Sequence, residues 1–312
     1  MTHTFQSGII PEASSDALFI TFDVKKEHIA RAKKALSMSP IIIGELQQQF
    51  PDAHLYASIG ISDAAWVYFD ANGRLAELAS FPPFSHNGIE VGETKGDLVF
   101  HIRSMRRDTS YLLANALYQA FDDSLNIIDE ISCFKYLDNR DLTGFVDGTE
   151  NPEGEARKAV ALVGEEDTQF KNGSYLNLMR FEHDLTKWDQ LDLKAQEDTY
   201  GRTKYANEEY ASKDKSVHAH TKRTSIKDPN GKSLEILRHS MPFASLTCKG
   251  LMFASYSKTP AIFNQMLKSM VEGDENGNQD HLMQYTTAKT GNAFFVPPHY
   301  LVRKFEKRYI AQ

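Results

Sequence analysis

Between Ala17 and Leu137, apolar runs of strand length alternate with stretches of helical periodicity in the order β-α-β-β-α-β. Ala17–Val24 (ALFITFDV), Leu55–Ser62, Leu98–Met105 (LVFHIRSM) and Ile127–Leu137 are rich in the aromatic and β-branched residues that suit a buried strand. Lys25–Met38 carries Ile29, Ala32 and Leu36 at helical spacing, and Ala64–Asp70 reads as a short helix. Asp108 reads as an N-cap, followed by a face of Leu113, Leu117, Ala120 and Phe121. This is the ferredoxin-like order, in which helices cover one face of an antiparallel sheet.

The second half reads as a degenerate copy. Tyr175–Phe181 (YLNLMRF) is followed by a polar turn and a helix, and Gly250–Lys258 (GLMFASYSK) echoes Gly96–Met105. Thr259 and Pro260 then supply a helix start, with Pro260 at the first helical position. Phe263, Met266, Leu267 and Met270 form a stripe that reads as core before it reads as a cofactor box. The expected fold is therefore α+β: two ferredoxin-like β-α-β-β-α-β halves with antiparallel sheets, related to the dimeric α+β barrel. The expected division is residues 1–147 and 148–312, with the boundary inside Gly144–Lys158.

Charge and cysteine content narrow the function. The 312 residues carry a formal net charge of −7, so the basic excess of a nucleic-acid binder is missing. Cys133 and Cys248 are the only cysteines, and they form no C-x-x-C-H, which excludes covalent c-type haem attachment. Two thiols fit a reducing compartment. Met1–Pro11 shows no leader pattern and no apolar run reaches membrane-span length, so the expectation is a cytoplasmic protein with no membrane partner.

Two stretches carry chemistry. Leu142–Pro152 reads L-T-G-F-V-D-G-T-E-N-P, where Gly144 and Gly148 permit a tight backbone and Pro152 stops any regular element. Asp147 is thus presented on a turn. An isolated Asp-Gly is most often only a hairpin turn, but this string is longer and more specific. The second stretch, Ser216–Phe243, has Asn230-Gly231 between two β-type runs, a two-residue hairpin signal. A regular register would set Arg238 opposite Arg223, about 10 Å along the strand from His220. His220 and Arg238 would then face opposite sides of the local sheet, able to flank a thin, flat ligand. A lone histidine in a strand is usually structural, and His218 shares the segment.

Together these stretches resemble the dye-decolourising peroxidases, a family of haem enzymes, in the short bacterial P-type branch. The family pattern G-x-x-D-G-T-x-N-P is legible at Gly144–Pro152. Its H-x-x-[KR] strand is legible as His220-Thr221-Lys222-Arg223, and its I-L-R-x-[NS]-M-P-[FY] run as Ile236–Phe243. The resemblance runs from Ala17 to Pro297 and fits the duplicated strand order.

It implies one non-covalent haem b per chain, with His220 preferred over His218 as axial ligand. Asp147 and Arg238 are implied as the distal pair, with hydrogen peroxide and an aromatic electron donor as substrates. Asp280 is the expected acceptor for the other ring nitrogen of His220. Gly148, Thr149 and Asn151 are expected at the haem edge. Ser240 stands where many relatives carry Asn, and Leu251 and Phe253 could form an apolar ceiling over the distal side. His239 and His281 are expected to support the site or face solvent. Self-association into a dimer or larger homo-oligomer is implied as well. The competing readings are a haem carrier or sensor, or a protein that releases iron from haem, with incidental peroxidase activity.

Overall fold

The computed structural model describes residues 4–70, 73 and 75–307. Its first half runs β1 (Asp16–Val24), α1 (Ile29–Gln49), β2 (Tyr56–Ser62) and α2 (Asp63–Phe69). A small hairpin of β3 (Phe84–His86) and β4 (Ile89–Val91) follows, then β5 (Leu98–Ser104), α3 (Arg107–Ala120) and β6 (Leu125–Phe134). The second half opens with α4 (Ala156–Ala161), β7 (Ser174–His183), α5 (Leu185–Trp188), α6 (Leu193–Tyr200) and α7 (His220–Thr224). It continues through β8 (Leu237–Arg238), β9 (Met241–Ala244), β10 (Lys249–Ser257) and α8 (Ala261–Val271). It ends with β11 (Thr286–Ala288), β12 (Asn292–Val296), α9 (His299–Val302) and α10 (Lys304–Lys307).

The principal strands form one antiparallel sheet in the order β6-β1-β5-β2-β12-β7-β10-β8, with β9 also paired to β10. Each half keeps the ferredoxin-like order, and the pairing of β12 with β2 (Phe294 with Ser62, Phe295 with Ile61) joins them. At the far ends β6 and β9 come against each other, so the sheet curls towards a barrel. The expected α+β fold of two ferredoxin-like halves is the observed one.

Strand periodicity sorts the core into an inside and an outside. On β1, Ala17 and Phe19 point into the barrel, whereas Leu18, Ile20, Phe22 and Val24 point out under α1 and α3. On β10, Met252, Ala254 and Tyr256 belong to the barrel interior and Phe253 to the outer layer beneath α8. β1 is buried on both faces for this reason, which is why its apolar run is continuous and not alternating.

Several local expectations need correction. α1 does not end near Met38 but continues through Pro40 to Gln49. Pro40 has no N–H for the Leu36 carbonyl, and the Ser39 hydroxyl supplies a donor to that oxygen at 2.7 Å. Asp108 is not the N-cap of α3; the helix starts one residue before it, where Ser104 Oγ accepts the Arg106 N–H at 2.9 Å. Pro260 is the N-cap of α8 and not its first residue, and Thr259 Oγ1 accepts from the Ala261 N–H at 3.2 Å.

The largest departure is the segment of His220. It is one turn of helix, α7, and not a strand. The Asn230-Gly231 turn exists, with Gly231 at φ +83°, but it is flanked by a single bridge, Lys227 to Ser233. That bridge moves the register by one residue from the expected Arg223–Arg238 pairing. Among the described residues, no helix is long and apolar enough to cross a membrane.

Candidate functional site: a cleft between α7, α8 and the second sheet half

The outer face of the second half opens into a cleft of about 900 Å³, its mouth included. Met179, Phe181, Leu251 and Phe253 rise from the sheet to line it, and Phe263, Met266, Leu267 and Met270 descend from α8. The stripe expected to be core is core, with Phe263 and Leu267 buried beside Phe81, Met179 and Phe181, and the same stripe forms a wall of the cleft. An apolar cleft with few polar groups is the usual form of a small-molecule or cofactor site.

His220 stands at one side of the cleft, at the start of α7. Its Nδ1–H donates to Asp280 Oδ2 at 2.6 Å, which leaves Nε2 as the ring nitrogen free for a ligand. Asp280 is buried, and its other oxygen accepts the Leu282 N–H at 2.9 Å, so the acceptor is itself held. His218 does not share this position. Its ring stacks on His281 at 4.1 Å in a separate outer depression, and its Nδ1 meets the Gln279 carbonyl at 2.9 Å. His239 is also elsewhere: it lies inside the barrel, receiving a bond from Arg103 Nη1 at 2.7 Å.

Asp147 and Arg238 also line the cleft, and both additionally line two polar cavities that meet it there. The turn that presents Asp147 is closed by backbone bonds from Asp147 N to Asn139 O (2.9 Å) and Asp141 N to Phe145 O (2.8 Å). Gly148 adopts φ +77°, which a side chain would resist, and its N–H reaches Asp147 Oδ1 at 2.7 Å. Burial pushes the Asp147 carboxyl above the usual aspartate range. The Arg238 charge pulls it back in part, and the Asp141 charge adds to the rise.

Asn151 fastens this turn to β8. Its Nδ2 donates to the Arg238 carbonyl and its Oδ1 accepts the Arg238 N–H, both at 2.9 Å. A side-chain amide thus replaces a strand neighbour and fixes Asp147 relative to Arg238. Asn151 and Ser240 line a polar cavity beside the cleft and not the cleft itself, and Ser240 Oγ is buried without a partner. Gly148 and Thr149 border the polar mouth below α7, where Thr149 Oγ1 accepts from Asn207 Nδ2 at 3.0 Å.

Other residues of the site gave no recognisable sequence signal. Arg202 lines the polar mouth, is buried, and has an unpartnered Nε; Thr221 Oγ1 beside it is likewise unpartnered. Tyr200 lines the cleft, stacks on Phe145 at 4.0 Å and meets the His220 ring edge-on at 5.9 Å. Asp141 accepts from Thr143 Oγ1 (2.8 Å), Thr143 N (3.1 Å) and His183 Nε2 (3.1 Å). Burial alone would raise its pKa, but His183 and Thr143 outweigh burial and hold the carboxyl below the usual range. Spacings such as Asp141 to His183, or Tyr200 to His220, belong to no local motif.

The chain matches two family models, Dyp-type peroxidase, N-terminal, over residues 6–135 and Dyp-type peroxidase, C-terminal, over residues 138–301. A dye-decolorizing peroxidase of Mycobacterium tuberculosis is 33% identical over 291 residues, 93% of this chain and 87% of the relative. A Shewanella oneidensis structure described as Dyp-type superposes with a TM-score of 0.94 at 41% identity, covering 96% of this chain and 98% of that one. A variant of DypB from Rhodococcus jostii RHA1 in complex with heme superposes at 0.92 with 31% identity, covering 95% and 97%.

Proposed function

The chain belongs to the Dyp-type peroxidase family, and on that premise we propose a haem-dependent peroxidase with His220 as axial ligand and Asp147 and Arg238 on the opposite, peroxide-binding side. The observation that carries this reading is the cleft itself. One imidazole with its Nδ1 committed to Asp280 lies on one side, and a carboxylate and a guanidinium lie where polar cavities enter.

The residues fit a haem. Among the described residues no three His, Cys, Asp or Glu side chains gather to hold a bare metal ion, so an iron at His220 would need its remaining ligands from a porphyrin. Apolar walls suit the macrocycle, and the unpartnered Arg202 Nε and Thr221 Oγ1 at the mouth suit its carboxylates. When bound, the haem supplies the redox centre at which peroxide is cleaved and organic donors are oxidised.

The protein groups do the rest. Asp280 fixes the His220 tautomer and raises the basicity of Nε2 by accepting the Nδ1–H. The Asp147 carboxylate takes the proton from one oxygen of hydrogen peroxide and returns it to the departing oxygen. Arg238, always charged, hydrogen-bonds that departing oxygen as charge develops on it. Among the described residues no group hydrogen-bonds the Arg238 guanidinium, so its donors are free for substrate. Solvent and peroxide would enter through the polar cavity bordered by Ser240 and Asn151.

The division into residues 1–147 and 148–312, a cytoplasmic location with Cys133 and Cys248 as free thiols, and self-association complete the proposal. Sedimentation of the loaded protein tests the last.

The deciding experiment reconstitutes the protein with haem and follows the Soret band on adding peroxide and then a phenolic or dye donor. A band that shifts with peroxide and returns with donor is expected. Arg238→Ala should keep the band and lose turnover by about a hundredfold or more. Full activity in that variant would remove Arg238 from its role. Turnover no better than free haem would favour a carrier.

A further inference from the structure

Two segments far apart in the chain are stitched together, antiparallel, on the His220 side of the cleft. The His281 N–H donates to the His218 carbonyl at 3.0 Å, and the His218 Nδ1–H donates to the Gln279 carbonyl at 2.9 Å. The bond from His220 to Asp280 comes next, at 2.6 Å. The run ends at Arg223, whose Nη1 donates both to the Asn278 carbonyl at 3.0 Å and to Asp274 Oδ2 at 2.8 Å. Residues 218–223 thus take their position from residues 274–281, and Arg223 is the last fastening.

The helix needs it. α7 has five residues and no side-chain cap at Ala219, and a single turn fixes more backbone than its own hydrogen bonds offset. The loop is firmer. Asp274 Oδ1 accepts the Asn276 and Asn278 N–H groups at 3.0 and 3.1 Å, and the Asn278 side-chain amide at 3.0 Å. The Asp280 N–H is anchored on the Met270 carbonyl of α8 at 3.0 Å. Hydrogen bonds, that of the Asn278 side chain foremost, hold the Asp274 carboxyl below the usual aspartate range, so it meets Arg223 ionised. Arg223 is buried, and without Asp274 its charge would be left uncompensated.

We propose that Arg223 is a positioning residue for the axial imidazole: by clamping α7 to the loop of residues 274–280, it sets the His220–Asp280 bond and through it the ferric–ferrous balance of bound haem. The inference rests on the peroxidase reading with His220 as axial ligand. Asp280 makes His220 Nε2 more basic by accepting the Nδ1–H, and a more basic ligand favours the ferric state. With the clamp opened, α7 shifts against the loop and the bond to Asp280 lengthens. Nε2 then becomes less basic, and the ferrous state gains.

The test is potentiometric titration of the haem-loaded protein, with resonance Raman of its ferrous form to read the iron–histidine stretch. Arg223→Gln and Asp274→Asn should each raise the reduction potential, by about 59 mV for every tenfold of ferric preference lost. Each should lower the stretching frequency and speed haem loss by about tenfold, the lower end of what an outer partner of a metal ligand costs. Charge alone predicts otherwise: losing a cation near the haem lowers the potential, and losing an anion raises it. Two rises therefore identify positioning. Arg223→Lys can make both bonds from one nitrogen, as Nη1 does, and should restore the wild-type potential. The double variant Arg223→Gln, Asp274→Asn should move it no further than either single change, because the two side chains form one clamp.

Shifts of opposite sign in the two variants overturn the positioning role. So do an unmoved potential and stretch alongside lowered thermal stability, or a lysine variant that behaves like the glutamine one. Asp274 is partly exposed, so the stretch in Asp274→Asn decides the matter if Arg223→Gln does not fold. A wild-type protein that binds haem without an iron–histidine band would instead overturn His220 as the axial ligand.

Discussion

In the first half, a single helix of 21 residues, α1, lies between β1 and β2 and shares with α3 the task of covering the outer sheet face. At the corresponding place in the second half, residues 185–236 supply only α5, α6 and α7, of four, eight and five residues. Leu36, Leu113 and Leu117 fill the first face completely, with Phe22 and Phe100 beneath them. The second face keeps α8 as its cover on one side and is left open where the long helix is missing. The cleft is made by withholding a helix, and the short pieces that replace it carry His220, Tyr200 and Arg202 to its rim. A duplicated strand order thus supports one half whose face is given to stability and one whose face is given to a ligand.

The same substitution in the two halves should separate these uses. Phe100→Ala, under α1 and α3, should destabilise the protein by about 3–5 kcal/mol whether or not haem is bound, as full-core Phe deletions do. Phe263→Ala, in the cleft wall, should cost less in the haem-free protein, because its ring faces a cavity on one side. Its cost should appear as weaker haem retention. Denaturant unfolding with and without haem reads both, and equal losses at both sites would break the contrast.

Asn151→Ala should follow, at about 1–3 kcal/mol of transition-state stabilisation, because two backbone groups of Arg238 lose their partner. It should lower turnover as well as fold stability, because the same two bonds hold β8 to the turn that presents Asp147.

The pH profile sharpens the same point. Asp147 acts as its carboxylate, and burial raises its pKa, so activity should fall with decreasing pH before a free aspartate near 3.9 would protonate. That acid limb should vanish from the residual activity of Asp147→Asn. The smallest expected effect is Ser39→Ala in the packed half, about 1 kcal/mol from the Leu36 carbonyl that loses its added donor. It should leave haem binding untouched.

The contrast also explains what could be read from sequence. Ala17–Val24 and Gly250–Lys258 announce themselves because strands buried on both faces are continuous apolar runs. The Leu142–Pro152 turn is legible because glycine, aspartate and proline are restrictive in backbone terms. The segment around His220 reads as a strand but folds as one turn of helix, since five residues of H-T-K-R-T carry no helical period and one turn needs none. Asp280 could be named from a motif, but its 2.6 Å bond to His220 spans 60 residues and is set only by tertiary packing. Arg202 and Tyr200 were invisible for the same reason. The stripe of Phe263, Met266, Leu267 and Met270 shows the opposite limit: periodicity finds the buried face of a helix but not whether protein or ligand buries it.

The seam between β2 and β12 has a further consequence, in the order of assembly. Its partners, Ser62 with Phe294 and Ile61 with Phe295, lie more than two hundred residues apart in the chain. During synthesis the first half can gather β1, β5, β6 and both long helices early, but β2 remains an open edge until β12 has emerged. An unpaired edge is the part of a nascent sheet most able to pair wrongly with a neighbour. Such distant closure is also slow to find by diffusion. Loading of the cleft therefore follows the pairing of β12, which seals the two halves and sets β7 in place beside it.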